Sequence, residues 1–193
     1  PYQNMVQFMF EMPNAQAFNG LYDKLKNQAS LFFLSTSFLR GLTFDNAIII
    51  VDECQNMNFH ELDTIITRVG QESKICFGIS DKTLINENVK NLKWLSQNVI
   101  DLIYGNNNEL SELRNKLVIK SKNILETFGE KGASFNGSAV PAPKIEVINT
   151  NGAGDALIGS FLAFKDHFDD KTALFKAVGY ASRVCSVNGP RLI

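Results

Sequence analysis

Apolar residues along the chain follow two periodicities, which together predict strands alternating with helices. Short continuous apolar runs predict strands at 31–34, 47–51, 74–77, 99–104 and 123–127, with further short strands within 133–147. Apolar positions three and four residues apart predict helices at 15–27, 58–70, 84–95, 110–117, 153–168 and 172–187. Because such alternation is typical of α/β folds, we expect a three-layer α/β/α architecture with a largely parallel sheet.

The charge and cysteine content of the chain bear on whether it binds nucleic acid, forms disulfides or associates with a membrane. The chain has 193 residues, and its 19 basic against 20 acidic side chains give a net charge of −1. The chain as a whole therefore lacks the positive field that would hold nucleic acid non-specifically. Three widely spaced cysteines predict reduced thiols and a cytoplasmic protein, and the absence of an apolar run of roughly 18 residues predicts no membrane partner. The oligomeric state is left open.

Two adjacent carboxylates, Asp52 and Glu53, follow the apolar run 48–51. A strand that ends in this way has the form of a Walker B element, in which the first acid holds Mg²⁺ and the second polarises the attacking water. A buried strand that ends at a solvated acidic turn has the same pattern. The pattern by itself leaves both interpretations open.

The surroundings of this strand end resemble the PhoH-like family of P-loop ATPases. The stretches that carry the resemblance are 38–43, 52–56 and 67–70, within a match that runs from about residue 2 to residue 77. The resemblance implies that Asp52 and Glu53 are the Mg²⁺ and catalytic acids, that Gln55 and Asn56 lie by the γ-phosphate, and that Arg68 reaches nucleotide or a neighbouring subunit. The sequence contains no Gly-x-x-x-x-Gly-Lys-Ser/Thr loop, which argues against ATP hydrolysis.

A glycine-rich turn, 149–155, lies between an apolar strand and an amphipathic helix. Small residues there let backbone N–H groups approach an anion, and the start of the helix adds a partial positive charge. Asp155 could accept the proton of a substrate hydroxyl while the N–H groups of Gly152, Ala153 and Gly154 stabilise a transferred phosphoryl group. The alternative is a glycine-rich helix cap at which Asp155 only complements the helix dipole.

This turn resembles the carboxy-terminal signature of PfkB-type kinases, the ribokinase-like family of carbohydrate and nucleoside kinases. Supporting stretches lie at 104–109, 127–133 and 140–143, and the likeness covers about residues 74–193. The resemblance implies that Asp155 is the catalytic base and that Gly152, Ala153 and Gly154 form the anion hole. It also implies that Asn106 and Glu109 adjust the binding of Mg²⁺ and phosphate, and that Thr127, Gly129 and Gly132 bind the nucleotide. Asn149 replaces the usual Asp of the signature, and the amino-terminal half of such kinases has no counterpart here.

Together the motifs predict two segments, a PhoH-like, P-loop NTPase-like fragment at 1–78 and a PfkB-type, ribokinase-like part at 79–193. The leading hypothesis is ATP-dependent phosphoryl transfer to a sugar or nucleoside hydroxyl by an incomplete kinase module, with Mg²⁺ held through Glu109 or Asp52. One alternative is a PhoH-like ATP-binding or ATPase protein linked to RNA metabolism, for which nucleic acid would be a partner. The other is a chimera that folds but catalyses nothing.

Overall fold

The computed structural model describes residues 23–25, 27–28, 31–39 and 41–188 of the chain. These residues form two compact units. The first unit is Leu34–Glu126, and the second contains the described residues from Thr127 onwards together with those up to Phe33. The predicted segments 1–78 and 79–193 stay a prediction, and residue 78 lies at the end of a strand inside the first unit.

The first unit alternates strands with helices. Its strands are β1 (Ile48–Val51), β2 (Lys74–Gly78), β3 (Ile100–Asn106) and β4 (Ser121–Thr127), of which the final residue counts with the second unit. Its helices are α1 (Phe59–Ile66), α2 (Lys82–Glu87), α3 (Val89–Leu92), α4 (Trp94–Gln97) and α5 (Asn107–Lys116). The strands lie in the order β1-β2-β3-β4, and β2 pairs in parallel with both β1 and β3.

The core of the first unit forms around β2, whose last four residues are all buried. Phe77 is fully buried, and its ring centroid lies 5.7 Å from that of the fully buried Trp94 in α4. A parallel strand that is buried on both faces is apolar on both, which explains why residues 75–77 form an unbroken apolar run after Lys74. The predicted buried strand is therefore confirmed.

The second unit pairs a hairpin with two helices. Strands β5 (Ala133–Phe135) and β6 (Ser138–Val140) are antiparallel, and the two residues between them, Asn136 and Gly137, have positive φ values of 49° and 84°, as tight hairpin turns require. Helices α6 (Ala153–Lys165) and α7 (Asp170–Cys185) pack against each other, and the Phe161 ring of α6 packs at a tilt against Phe135 with ring centroids 4.8 Å apart. The predicted α/β class and the largely parallel arrangement of strands are confirmed.

One predicted strand is wrong, and one predicted helix is interrupted. The run 31–34 forms no strand; its side chains Phe32, Phe33 and Leu34 are 58%, 43% and 44% exposed, so it lacks the burial that an apolar strand needs. The predicted helix 84–95 is divided into α2, α3 and α4. The backbone leaves the helical region at Asn88 between α2 and α3, with φ −104° and ψ 13°, whereas Lys93 between α3 and α4 keeps helical angles of φ −51° and ψ −24°.

The predicted helix 15–27 lies largely outside the described residues, although residues 23–25 are helical. Among the helices of the described ranges, none is both long and apolar enough to cross a membrane.

We predict that Phe77→Ala lowers the free energy of unfolding of the first unit by about 3–5 kcal/mol, because it leaves a cavity beneath Trp94. Trp94 is the single tryptophan of the chain, so its fluorescence during urea unfolding reports on this unit. Phe38→Ala is the control, since Phe38 is 74% exposed and belongs to the same unit. Equal effects of the two substitutions would contradict the central position of β2 in the core.

Candidate functional site

The carboxyl ends of β1, β2 and β3 lie side by side at one edge of the first unit. Val51 pairs with Phe77 and Gly78 with Tyr104, so the chain leaves all three parallel strands in the same direction. The residues that follow are Asp52 and Glu53 after β1, Ser80 and Asp81 after β2, and the Asn106–Glu109 motif at the end of β3. Residues that the sequence assigned to two different segments thus share one sheet edge.

The turn after β1 presents the two carboxylates of the Walker B-like motif. Glu53 adopts a left-handed conformation with φ 50°, which turns the chain directly beyond the strand. Its backbone N–H donates to Asp52 Oδ1 at 3.0 Å, and its Oε2 accepts from Asn56 Nδ2 at 3.0 Å. Asp52 is half-buried, whereas Glu53 and Asn56 are exposed. Both carboxylates are therefore within reach of a ligand from solvent.

Gln55 fastens this turn to the end of β2. Its side chain is fully buried, its Nε2 donates to Ser80 Oγ at 3.0 Å, and its Oε1 accepts from the Ser80 backbone N–H at 3.1 Å. The neighbouring Cys54 is also buried, and burial together with the charge of Asp52 raises the pKa of its thiol. Gln55 and Cys54 thus hold the turn in place, and the role of Gln55 beside a γ-phosphate stays a prediction.

Arg68 lies just beyond α1 in the same unit. Its carbonyl accepts the Phe44 N–H at 2.9 Å, which attaches this end of α1 to the segment before β1. Its Nε is buried without a hydrogen-bond partner in the part of the chain that the structure describes. Its action on nucleotide or on a neighbouring subunit stays a prediction.

Asn106 and Glu109 form the cap of α5. Asn106 Oδ1 accepts the Glu109 N–H at 3.0 Å, and Glu109 Oε2 accepts the Asn106 N–H at 2.8 Å, which is the reciprocal pattern of a capping box. Burial raises the pKa of Glu109, while hydrogen bonds from the backbone of Asn106 and Asp81 partly lower it. The Glu109 carboxylate therefore already accepts hydrogen bonds within the protein. Its binding of Mg²⁺ stays a prediction.

Asp81 is the residue at this edge that the sequence interpretation missed. It caps α2, where its Oδ1 accepts the N–H groups of Thr83 and Leu84 at 2.9 and 3.3 Å. Its backbone N–H also donates to Glu109, so it joins the end of β2 to the start of α5. An acidic residue between a buried strand and a helix was the signal that could have identified it.

The predicted anion hole lies in the second unit, at the start of α6. Gly152 is the N-cap residue, in the left-handed conformation with φ 79°. The Ala153 N–H makes a long bond of 3.2 Å to the Thr150 carbonyl. Apart from the adjacent residues and the backbone of α6 itself, no atom would lie within 4 Å of a Cβ placed on Gly154. Asp155 lies in the same first turn and is half-buried. The backbone at Gly154 is thus open to a ligand, beside a carboxylate.

The predicted nucleotide residues Thr127, Gly129 and Gly132 lie in the same unit, in and after the last residue of β4. Gly129 has φ 59° and open space where a Cβ would be. Gly132 has φ 101°, and a Cβ there would come within 2.0 Å of the Val140 carbonyl oxygen, so this glycine is needed for the turn to pack against β6. The structure therefore groups these residues with 152–155, whereas Asn106 and Glu109 belong to the first unit.

No cluster of three or more His, Cys, Asp or Glu side chains with the geometry of a metal site occurs among residues 23–25, 27–28, 31–39 and 41–188. Binding of Mg²⁺ through Glu109 or Asp52 stays a prediction.

Both resemblances found in the sequence are supported by comparisons with known proteins. The family model described as PhoH-like protein matches residues 2–127, which is more than half of the chain. Protein PhoH2 of Bacillus subtilis strain 168 is 35% identical over 75 residues, which cover 39% of this chain and 16% of that protein. The 1-phosphofructokinase of Haloferax volcanii is 46% identical over 74 residues, which cover 36% of this chain and 24% of that enzyme.

Solved structures of kinases share the fold. The adenosine kinase of Sinorhizobium meliloti has a TM-score of 0.62 at 15% identity and matches 83% of this chain and 54% of its own. A putative ribokinase II of E. coli, solved with ATP and Mg²⁺, has a TM-score of 0.61 at 19% identity and matches 81% of this chain and 56% of its own. The chain thus spans about half the length of these kinases and at most about a quarter of the two curated relatives.

We predict that ionisation of Glu109 destabilises the fold. Because folding raises the pKa of Glu109 above its ordinary value of 4.5, the folded protein keeps this proton at pH values where the unfolded chain has lost it. The stabilisation that protonated Glu109 provides is complete at pH values below 4.5 and is lost as the pH rises through the higher pKa of the folded protein.

Urea unfolding from about pH 4 to about pH 7 should therefore show the unaltered protein losing stability relative to Glu109→Gln. Glu61→Gln is the matched control, since Glu61 holds the same position in the capping box of α1. A difference between the unaltered protein and Glu109→Gln that stays constant with pH would contradict the prediction.

Proposed function

This chain belongs to the PhoH-like protein family, and we propose that its second unit carries a kinase site that binds ATP for phosphoryl transfer to a sugar or nucleoside hydroxyl. The observation that carries this proposal is the start of α6, where open backbone at Gly154 lies beside the Asp155 carboxylate in one helical turn. The 46% identity with a 1-phosphofructokinase and the kinase fold support it.

In the proposed reaction, the acceptor hydroxyl attacks the γ-phosphorus of ATP, the bond to the bridging oxygen breaks, and ADP leaves. Asp155 takes the proton of the hydroxyl as general base. The N–H groups of Gly152, Ala153 and Gly154, aided by the dipole of α6, stabilise the charge on the phosphoryl oxygens. The long bond from Ala153 to Thr150 is one that a phosphate oxygen can replace at little cost.

ATP would lie along the turn after β4. Thr127 offers a hydroxyl and backbone groups, and Gly129 leaves room for a ligand above the backbone. Gly132 keeps the turn against β6. We assign Asn106 and Glu109 to Mg²⁺ and phosphate on the strength of the family resemblance, and Mg²⁺ when bound would neutralise phosphate charge.

We predict that Asp155→Asn lowers the rate of phosphoryl transfer about 10²- to 10⁴-fold while ATP binding is retained, because the substitution removes the base but keeps the shape of the turn. Transfer of labelled γ-phosphate to a panel of sugars and nucleosides measures the rate, and titration calorimetry with a non-hydrolysable analogue measures binding. Asp166→Asn at the other end of α6 is the control, since Asp166 is exposed. No transfer by the unaltered chain to any acceptor would overturn the proposal.

A second candidate function is ATP binding or hydrolysis at the turn after β1, with a link to RNA metabolism and nucleic acid as partner. Membership of the PhoH-like family favours it, as does the exposure of Glu53 next to Asp52 at a strand end. Residues 1–193 contain no Gly-x-x-x-x-Gly-Lys-Ser/Thr loop to bind the phosphates, so we rank this function second.

For this second function we predict that Glu53→Gln lowers any ATP hydrolysis by about 10²-fold or more, because Glu53 would polarise the attacking water. Phosphate release measures the rate. Glu72→Gln is the control, since Glu72 is exposed, belongs to the same unit and has a similar positive φ of 55°. Hydrolysis that is insensitive to Glu53→Gln would exclude this site as its source.

A further inference from the structure

A side-chain cluster outside the residues discussed so far joins α5 to the carboxyl end of β4. Glu126 Oε1 and Oε2 accept from the two terminal nitrogens of Arg114 at 3.0 and 3.1 Å, so the ion pair is bidentate. Glu126 Oε1 also accepts from Asn107 Nδ2 at 3.0 Å. Three donors therefore converge on one carboxylate, whose residue is only 8% exposed.

The two residues that supply these three donors lie on one face of α5. Asn107 and Arg114 are seven residues apart, which is close to two helical turns, so both side chains project to the same side of the helix. Asn107 is the first residue of α5, directly after the Asn106 cap, and Arg114 lies in its last turn. A single carboxylate thus fixes both ends of the helix against β4.

The geometry of this cluster exceeds what an ordinary surface ion pair provides. The neighbouring pair of Lys116 with Glu112 on the same helix is 3.7 Å long and joins single atoms, although the exposure of Lys116, 43%, is close to the 39% of Arg114. A largely buried carboxylate contributes little net stability compared with apolar residues of the same shape, but it fixes geometry through its directional bonds. The main effect of the Glu126–Arg114 pair is therefore to fix the positions of the elements that it joins.

The position that they fix is the end of β4. Glu126 is the penultimate residue of this strand, and Thr127, its last residue, begins the turn that contains Gly129 and Gly132. We propose that Arg114 and Glu126 are positioning residues that hold the end of β4, and through it the turn 127–132, in the conformation that binds nucleotide. The ligand-binding part of this inference rests on the proposed function.

Two variants separate positioning from simple stabilisation. Arg114→Met leaves the Glu126 carboxylate buried without its main partner, so we expect lower stability, faster amide exchange at 127–132 and weaker binding of the ATP analogue. Arg114→Met combined with Glu126→Gln removes both charges and keeps an acceptor for Asn107. We expect this double variant to recover most of the thermal stability, because no unpaired buried charge remains.

The proposal requires that the double variant still binds the Mg²⁺–ATP analogue at least about tenfold more weakly than the unaltered chain, with amide exchange at 127–132 about tenfold faster. Lys116→Met, which removes the surface pair on the same helix, should leave both values unchanged. A double variant with the affinity and exchange of the unaltered chain would overturn the proposal, since the pair would then be purely structural.

The exchange measurement is made without ligand, so it separates this inference from the proposed function. If the unaltered chain does not bind the analogue, the proposed function fails. Faster exchange confined to 127–132 in the double variant would then still support the positioning of the turn, and unchanged exchange would overturn it.

Discussion

The parallel pairing of β1 and β3 on either side of β2 is the constraint on which the first unit depends. It buries β2, sets Phe77 against Trp94, and makes the chain leave three strands at one edge. Every polar residue that follows these strands is therefore brought to the same place, whether the sequence resembles a PhoH-like protein or a kinase there. Hydrogen bonds from Gln55 to Ser80 and from Asp81 to Glu109 then fasten the three strand ends together.

Those hydrogen bonds show that residues predicted to bind a ligand can instead be engaged in hydrogen bonds within the protein. Glu109 caps α5 with Asn106, and the buried amide of Gln55 is bonded to Ser80 at both of its polar atoms. In contrast, Asp52, Glu53 and the backbone at Gly154 keep surface open to solvent. The second unit thus combines an open helix start, a carboxylate and a glycine turn, and these features support a kinase site in this unit.

The sequence predicted most strands because parallel strands form continuous apolar runs, as at 74–77, where the strand is buried, and at 47–51, where Val51 is the buried residue. It failed at 31–34, where apolar residues are exposed, and it did not show the interruption at Asn88, where the backbone leaves the helical region within a periodic stretch. The Asn-x-x-Glu spacing at 106–109 has two physical meanings, a capping box and a phosphate motif, and the sequence shows only the spacing. The boundary at Glu126 follows from contacts between distant residues rather than from the family likeness of each segment, so composition could not reveal it.

The central claim, that nucleotide binds at the turn after β4, is tested most directly by titration calorimetry of a Mg²⁺–ATP analogue with Gly129→Val beside Gly137→Val. Both glycines have positive φ and open space around them, so valine strains the backbone at each, but only Gly129 lies in the proposed site. Binding is expected to be lost in Gly129→Val and kept in Gly137→Val. Binding that survives in Gly129→Val would contradict the central claim.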